Sequence, residues 1–143
     1  MISPENFIGY LIKSSGRVFA NQVNAKIKEL GLPITVEQVG IIFRLSFFPG
    51  STQKDIADFF FKDKTTITRI IGTMERNNIL VRVPSEKDKR INLLYLTNKG
   101  KEVQGIVSKV AMEASSQATE GIDEKDLEIA KRVLKQIREN LEK

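Results

Sequence analysis

The chain has 143 residues, of which 23 are Lys or Arg and 18 are Asp or Glu, for a formal charge of +5. That length suits one domain with room for a real core and for an added oligomerisation element. Cysteine and histidine are both absent, which excludes disulfides, thiolate metal sites and thiol redox sensing and removes the commonest general base. No apolar run approaches transmembrane length, so a cytoplasmic protein without a membrane partner is the default expectation, and an enzyme is a poor one.

The predicted elements follow in chain order. Residues 6–30 carry Ile8, Leu11, Ile12, Phe19, Val23, Ile27 and Leu30 at helical steps. Gly31-Leu32-Pro33 ends that helix, Gly as the cap and Pro as the residue that cannot continue it. Thr35 opens a second helix, with Gln38 at the capping-box position and Ile34 and Val39 spaced as a hydrophobic staple. This helix is apolar nearly all round, including Phe43, Phe47 and Phe48, and is expected to be the buried centre.

Pro49-Gly50 breaks the chain, and Thr52 caps a short third helix that turns Ile56, Ala57 and Phe60 inward. A fourth helix starts at the N-cap Asp63 and stops at Asn77-Asn78. Residues 81–84 and 91–96 are β-type runs around a polar tip, Ser85-Glu86-Lys87-Asp88-Lys89-Arg90. Thr97 caps a fifth helix that ends at Gly121. A last helix follows with an apolar stripe of Leu127, Ala130, Leu134, Ile137 and Leu141. The fold class predicted is mainly α with a small β wing: a winged helix-turn-helix over residues 34–97, embedded in a helical dimerisation frame of residues 1–33 and 98–143.

On a helical wheel the fourth helix places Ile67, Ile70, Ile71 and Met74 on one side and Thr65, Arg69, Gly72 and Arg76 on the other, flanked by Thr66 and Thr68. An amphipathic surface helix accounts for the apolar stripe but not for three threonines in the first turns, since Thr is a mediocre helix former. Short hydroxyls there suit phosphate and base-edge contacts. Gly72 fits either close approach to a duplex or tolerated surface drift. From residue 62 to 90, Lys62, Lys64, Arg69, Arg76, Arg82, Lys87, Lys89 and Arg90 face only Asp63, Glu75, Glu86 and Asp88, so most of the positive excess sits here. From residue 123 onward the charges cancel, with Glu128/Arg132 and Arg138/Glu142 spaced for pairing. Double-stranded DNA is therefore the expected partner, with Arg90 suited to a narrow minor groove.

Residues 52–100 resemble the MarR family of bacterial transcriptional regulators. The matching pieces are Thr52-Gln53-Lys54-Asp55-Ile56-Ala57, Thr65-Thr66-Ile67-Thr68-Arg69, Met74-Glu75-Arg76-Asn77-Asn78-Ile79-Leu80, then Arg82 with Asp88-Lys89-Arg90, and Leu96-Thr97-Asn98-Lys99-Gly100. The resemblance implies a homodimer whose winged domains each read half of a palindromic operator, with the first and last two helices interleaved across the twofold. It also implies contacts to bases and phosphates from Thr65, Thr66, Thr68 and Arg69, and a minor-groove role for Arg90 held by Asp88. Arg82 would touch the DNA backbone or brace the wing. The chain departs from the family at Phe60-Phe61-Lys62, which lacks a common Gly, at Gly72-Thr73, where an Asp-Arg pair is common, and at Asn78, where Gly is frequent.

A small-molecule effector between the dimer helices and the winged region is a further expected partner. Tyr10, Arg17, Phe43 and Phe47 are its candidate lining, although core packing explains the aromatics more simply. The alternative function is a winged-helix protein-interaction module that never touches nucleic acid.

Overall fold

The computed structural model describes residues 1–143. A 3-10 turn, Pro4–Asn6, precedes α1 (Ile8–Glu29), α2 (Val36–Phe47), α3 (Gln53–Phe60) and α4 (Lys64–Arg76). Then come β1 (Leu80–Pro84), β2 (Asn92–Leu96), α5 (Asn98–Ala118) and α6 (Glu124–Leu141). This is the predicted order of helices around a two-stranded wing. No helix is long and apolar enough to cross a membrane.

Three helices end in one device. After α1, Gly31 takes a φ of +69°, and the N–H groups of Gly31 and Leu32 donate to the carbonyls of Lys28 and Ile27. After α4, Asn78 at φ +61° does the same, with bonds from Asn78 to Glu75 and from Ile79 to Met74. Both are Schellman caps, and Asn tolerates the left-handed position that usually takes Gly. The turn between α3 and α4 repeats the pattern with Phe61 at φ +53°, Lys62 donating to Ala57 and Phe61 to Asp58. The helix-turn-helix corner therefore keeps its geometry without glycine.

The helix starts divide. Thr52 and Asp55 form a reciprocal capping box on α3, while Asp63 and Thr97 cap α4 and α5 through their side chains. At α2 the expected Thr35–Gln38 box is not formed. The Val36 N–H donates instead to Asn24 Oδ1 at 2.8 Å, and Gln38 is buried, its Oε1 without a donor. Tertiary packing here overrides a local pattern.

The core joins Val23 and Ile27 of α1, Ile41, Ile42 and Leu45 of α2, Ile56 of α3, the apolar side of α4, Leu94 of the wing and Val103, Val107 and Val110 of α5. The centre of α2 is buried as expected, but its end is not. Phe47 and Phe48 face outward, and the Arg44 guanidinium stacks over the rings of Phe48 (3.9 Å) and Phe59 (4.4 Å). Near the other end of the chain, Glu128 pairs with Lys131 rather than Arg132, whereas the Arg138–Glu142 pair forms.

The wing pairs β1 and β2 antiparallel, Leu80 opposite Leu96 and Arg82 opposite Leu94. A one-residue third rung was not expected: Ser51 bridges Leu94, with the Gly50 N–H donating to the Leu94 carbonyl and the Leu94 N–H to Ser51. Gly50, at φ +82° and with Tyr95 Oη 3.0 Å from where a Cβ would sit, permits that approach. The base of the wing thus packs against the chain entering α3.

Candidate nucleic-acid interface

The outward side of α4 is free. Ile67, Ile70, Ile71 and Met74 are buried, while Lys64, Thr65, Thr68, Arg69 and Arg76 are exposed and Thr66 and Gly72 are half-buried. A Cβ on Gly72 would meet only the Arg76 guanidinium, at an ordinary 3.5 Å, so nothing inside the chain requires glycine there.

The threonines differ in what they leave available. Asp63 accepts the Thr66 N–H at 2.7 Å and the Thr66 hydroxyl at 3.0 Å. The backbone bond first, and the hydroxyl second, hold the Asp63 carboxyl below its usual range. The Thr68 hydroxyl donates back to the Lys64 carbonyl at 2.8 Å and accepts from Gln53 Nε2 at 3.1 Å. Each hydroxyl carries a single proton, so Thr66 and Thr68 have none left to give. The Thr65 hydroxyl makes no bond within the chain and remains open in both roles.

Arg82 is part of the scaffold. Half-buried on β1, it lies 3.4 Å from Glu75 Oε1 as an ion pair and donates through a terminal nitrogen to Gln53 Oε1. It thereby ties the wing to α3 and α4, which is the bracing arrangement. Gln53 and Glu75, which complete this brace, carry no distinguishing signal in the sequence beyond their place in the family motifs.

At the wing tip the Ser85 N–H donates to the Ile91 carbonyl at 2.8 Å, and the Ile91 N–H to the Asp88 carbonyl at 3.0 Å. Asp88 grips Arg90 through three bonds: the backbone N–H at 3.1 Å, Nε at 3.0 Å and a terminal nitrogen at 3.0 Å. The Arg90 side chain nonetheless keeps 90% of its exposure. The pair holds Asp88 below the usual carboxylate range and raises Arg90. Lys87 and Lys89 flank it, exposed. None of Lys64, Arg69, Arg76, Lys87 and Lys89 has an acidic partner within 4 Å, although Arg76 donates to the Thr73 hydroxyl.

The four residues considered for an effector are not brought together as a closed pocket. Tyr10 and Arg17 lie exposed on α1, Phe43 packs half-buried against the core, and Phe47 points to solvent. None of them lines the cleft of about 950 Å³ whose apolar walls include Leu11, Ile12 and Phe19 of α1, Ala114 of α5, and Val133 and Leu134 of α6. No group of His, Cys, Asp and Glu is placed to hold a metal ion.

A capped three-helix corner, an outward polar helix side and a basic hairpin beside it define a winged helix-turn-helix protein. Residues 30–91 match the model of the MarR family. YybA of Bacillus subtilis, an HTH-type transcriptional regulator, is 28% identical over 120 residues, covering 84% of this chain and 79% of YybA. The crystal structure of the transcriptional regulator SlyA superposes with a TM-score of 0.86 at 28% identity, covering 94% of this chain and 93% of the other. The repressor CouR, solved on a 23-mer DNA duplex, shares the fold with a TM-score of 0.84 at 20% identity, over 96% and 98% of the two chains. Over residues 30–91, and in its fold, the chain is similar to the MarR family of transcriptional regulators.

Proposed function

We propose that the protein is a repressor that binds a palindromic operator as a homodimer. In this reading α4 lies in the major groove, Thr65, Arg69 and the first turn meet base edges and phosphates, and Arg90 enters the adjoining minor groove. The observation that carries it is the set of exposed bases without acidic partners on two neighbouring elements: Lys64, Arg69 and Arg76 on α4, with Lys87 and Lys89 on the wing. Bases without internal acidic partners are poised to neutralise phosphates and release counterions. The same fold holds a DNA duplex in CouR.

Support for the dimer is independent of the charge. The 18 residues of α6 include none that is buried in the single chain, and α1 leaves Ile8, Leu11, Ile12 and Phe19 open to solvent. Amphipathic helices of this length owe their stability to a covered apolar face, and an apolar cleft this large marks an association surface. A second copy laid into the α1–α5–α6 cleft covers both helices. Successive major grooves require such a dimer to hold its two α4 helices roughly 34–36 Å apart. A small-molecule effector acting between the dimer helices and the winged region completes the proposal.

Selection of bound fragments from a pool of random duplexes tests this reading. A twofold-symmetric consensus is the expected result. Recovery of no preferred sequence would favour a winged-helix module that binds another protein.

A further inference from the structure

A directed chain of hydrogen bonds crosses the proposed DNA-facing surface and decides what Thr68 can offer there. It starts at Arg82, which donates to Gln53 Oε1. Arginine has no acceptor, so the Gln53 amide is oriented with its oxygen toward the wing and its NH₂ toward α4. Gln53 Nε2 therefore donates to Thr68 Oγ1 at 3.1 Å, and the Thr68 hydroxyl must send its own proton elsewhere. It goes to the Lys64 carbonyl, 2.8 Å away and one turn back on the same helix. Every link follows from the donor-only chemistry of the first residue.

Thr68 is nevertheless exposed, in the middle of the outward side of α4. With its hydroxyl turned onto the protein's own backbone and covered by Gln53, the group it can still present is its methyl. An apolar contact from a threonine methyl suits one feature of the major groove, the C5-methyl group of thymine. We infer that Thr68 reads a thymine through methyl–methyl contact, with Arg82 and Gln53 as the residues that keep its hydroxyl out of the groove. This assignment rests on the proposal that α4 faces DNA. The competing arrangement is an amino group of cytosine or adenine donating to the last lone pair of the hydroxyl; it predicts that removing a thymine methyl changes nothing, and that T68S binds as the wild type does while T68V binds more weakly.

The test uses the intact protein and the duplex it selects from a random pool. Each thymine is replaced in turn by uracil, which removes the C5-methyl group alone. For the wild-type chain we expect at least one position where this weakens binding about fourfold, the cost of exposing one apolar carbon. T68V keeps an outward methyl but can neither donate nor accept, and it should retain that discrimination. T68S keeps the hydroxyl without the methyl, and it should bind the thymine and uracil duplexes alike. Circular dichroism establishes that both variants fold. If T68V loses the discrimination while T68S keeps it, or if the wild type is indifferent to uracil at every position, the assignment is overturned and α4 still faces DNA. A wild-type chain that selects no duplex overturns the parent proposal and this one together.

Discussion

Asp88 holds Arg90 at three points, through the backbone N–H and two guanidinium nitrogens at 3.0–3.1 Å, while leaving the side chain 90% exposed. The aspartate costs the wing tip little of its positive reach and fixes where the cation points. On the proposed DNA-bound reading, R90A should weaken operator binding roughly tenfold, within the range for a well-placed arginine contact. D88N should weaken it less, because the charge remains and its aim is lost. Mobility-shift titration of both variants measures this, and unchanged affinity for R90A would refute the groove role. The pairing depresses the Asp88 pKa below the ordinary carboxylate value. The contact is therefore fully present above that value and lost only as pH falls through the lowered one. Binding should show no transition from this pair between about pH 5 and pH 8.

Gly100 answers to a different constraint. A Cβ at this position would lie 2.1 Å from the Ile79 carbonyl oxygen, a backbone atom that also receives the Thr97 N–H at 3.0 Å. No rotamer relieves that clash. G100A should destabilise the fold by about 3 kcal/mol, at the upper end of ordinary overpacking costs. Urea denaturation reads the change as a lowered midpoint.

Phe61 carries strain that glycine would remove. Its φ of +53° is left-handed, and its side chain is mostly exposed, so little burial is lost on truncation. F61G should stabilise the chain by about 1 kcal/mol, the left-handed cost to an L residue less some gain in unfolded-state entropy. Thermal unfolding monitors the shift, and a lowered melting temperature would show that the ring has a packing role.

Much of the architecture was legible in the sequence because its signals are local. Gly31, Asn78 and Gly121 mark helix ends where the left-handed conformation is needed, and Asp63 and Thr97 mark starts. The outward side of α4 followed from the spacing of Ile67, Ile70, Ile71 and Met74. What was hidden depends on tertiary placement or rotamer choice. Gln38 has capping-box spacing, but its side of α2 is claimed by the core. The commitment of the Thr66 and Thr68 hydroxyls is a matter of which acceptor each rotamer reaches. A single rung at Ser51 has no periodicity to detect. Phe47 and Phe48 read as core by composition, yet they lie beyond the last buried turn of α2.

The proposed dimer rests on α6. Leu134 lines the α1–α5–α6 cleft and is about half exposed in the single chain, so a charge there leaves the winged region's own core untouched. L134D should raise the dimer dissociation constant roughly a hundredfold or more, since it places an unpaired carboxylate in an apolar interface. Sedimentation equilibrium separates the outcomes: a helical monomer is expected, and a stable dimer would put the interface elsewhere.

Salt titration of duplex binding bears most directly on the regulator reading. If Lys64, Arg69, Lys87 and Lys89 of each protomer lie against phosphates, log affinity falls linearly with log salt, by about 0.9 for each contact made. Replacing one of these lysines removes a contact from each protomer and should lessen the slope by about 1.8. A binding constant that stays level from low to moderate salt would contradict the assignment of this basic surface to DNA.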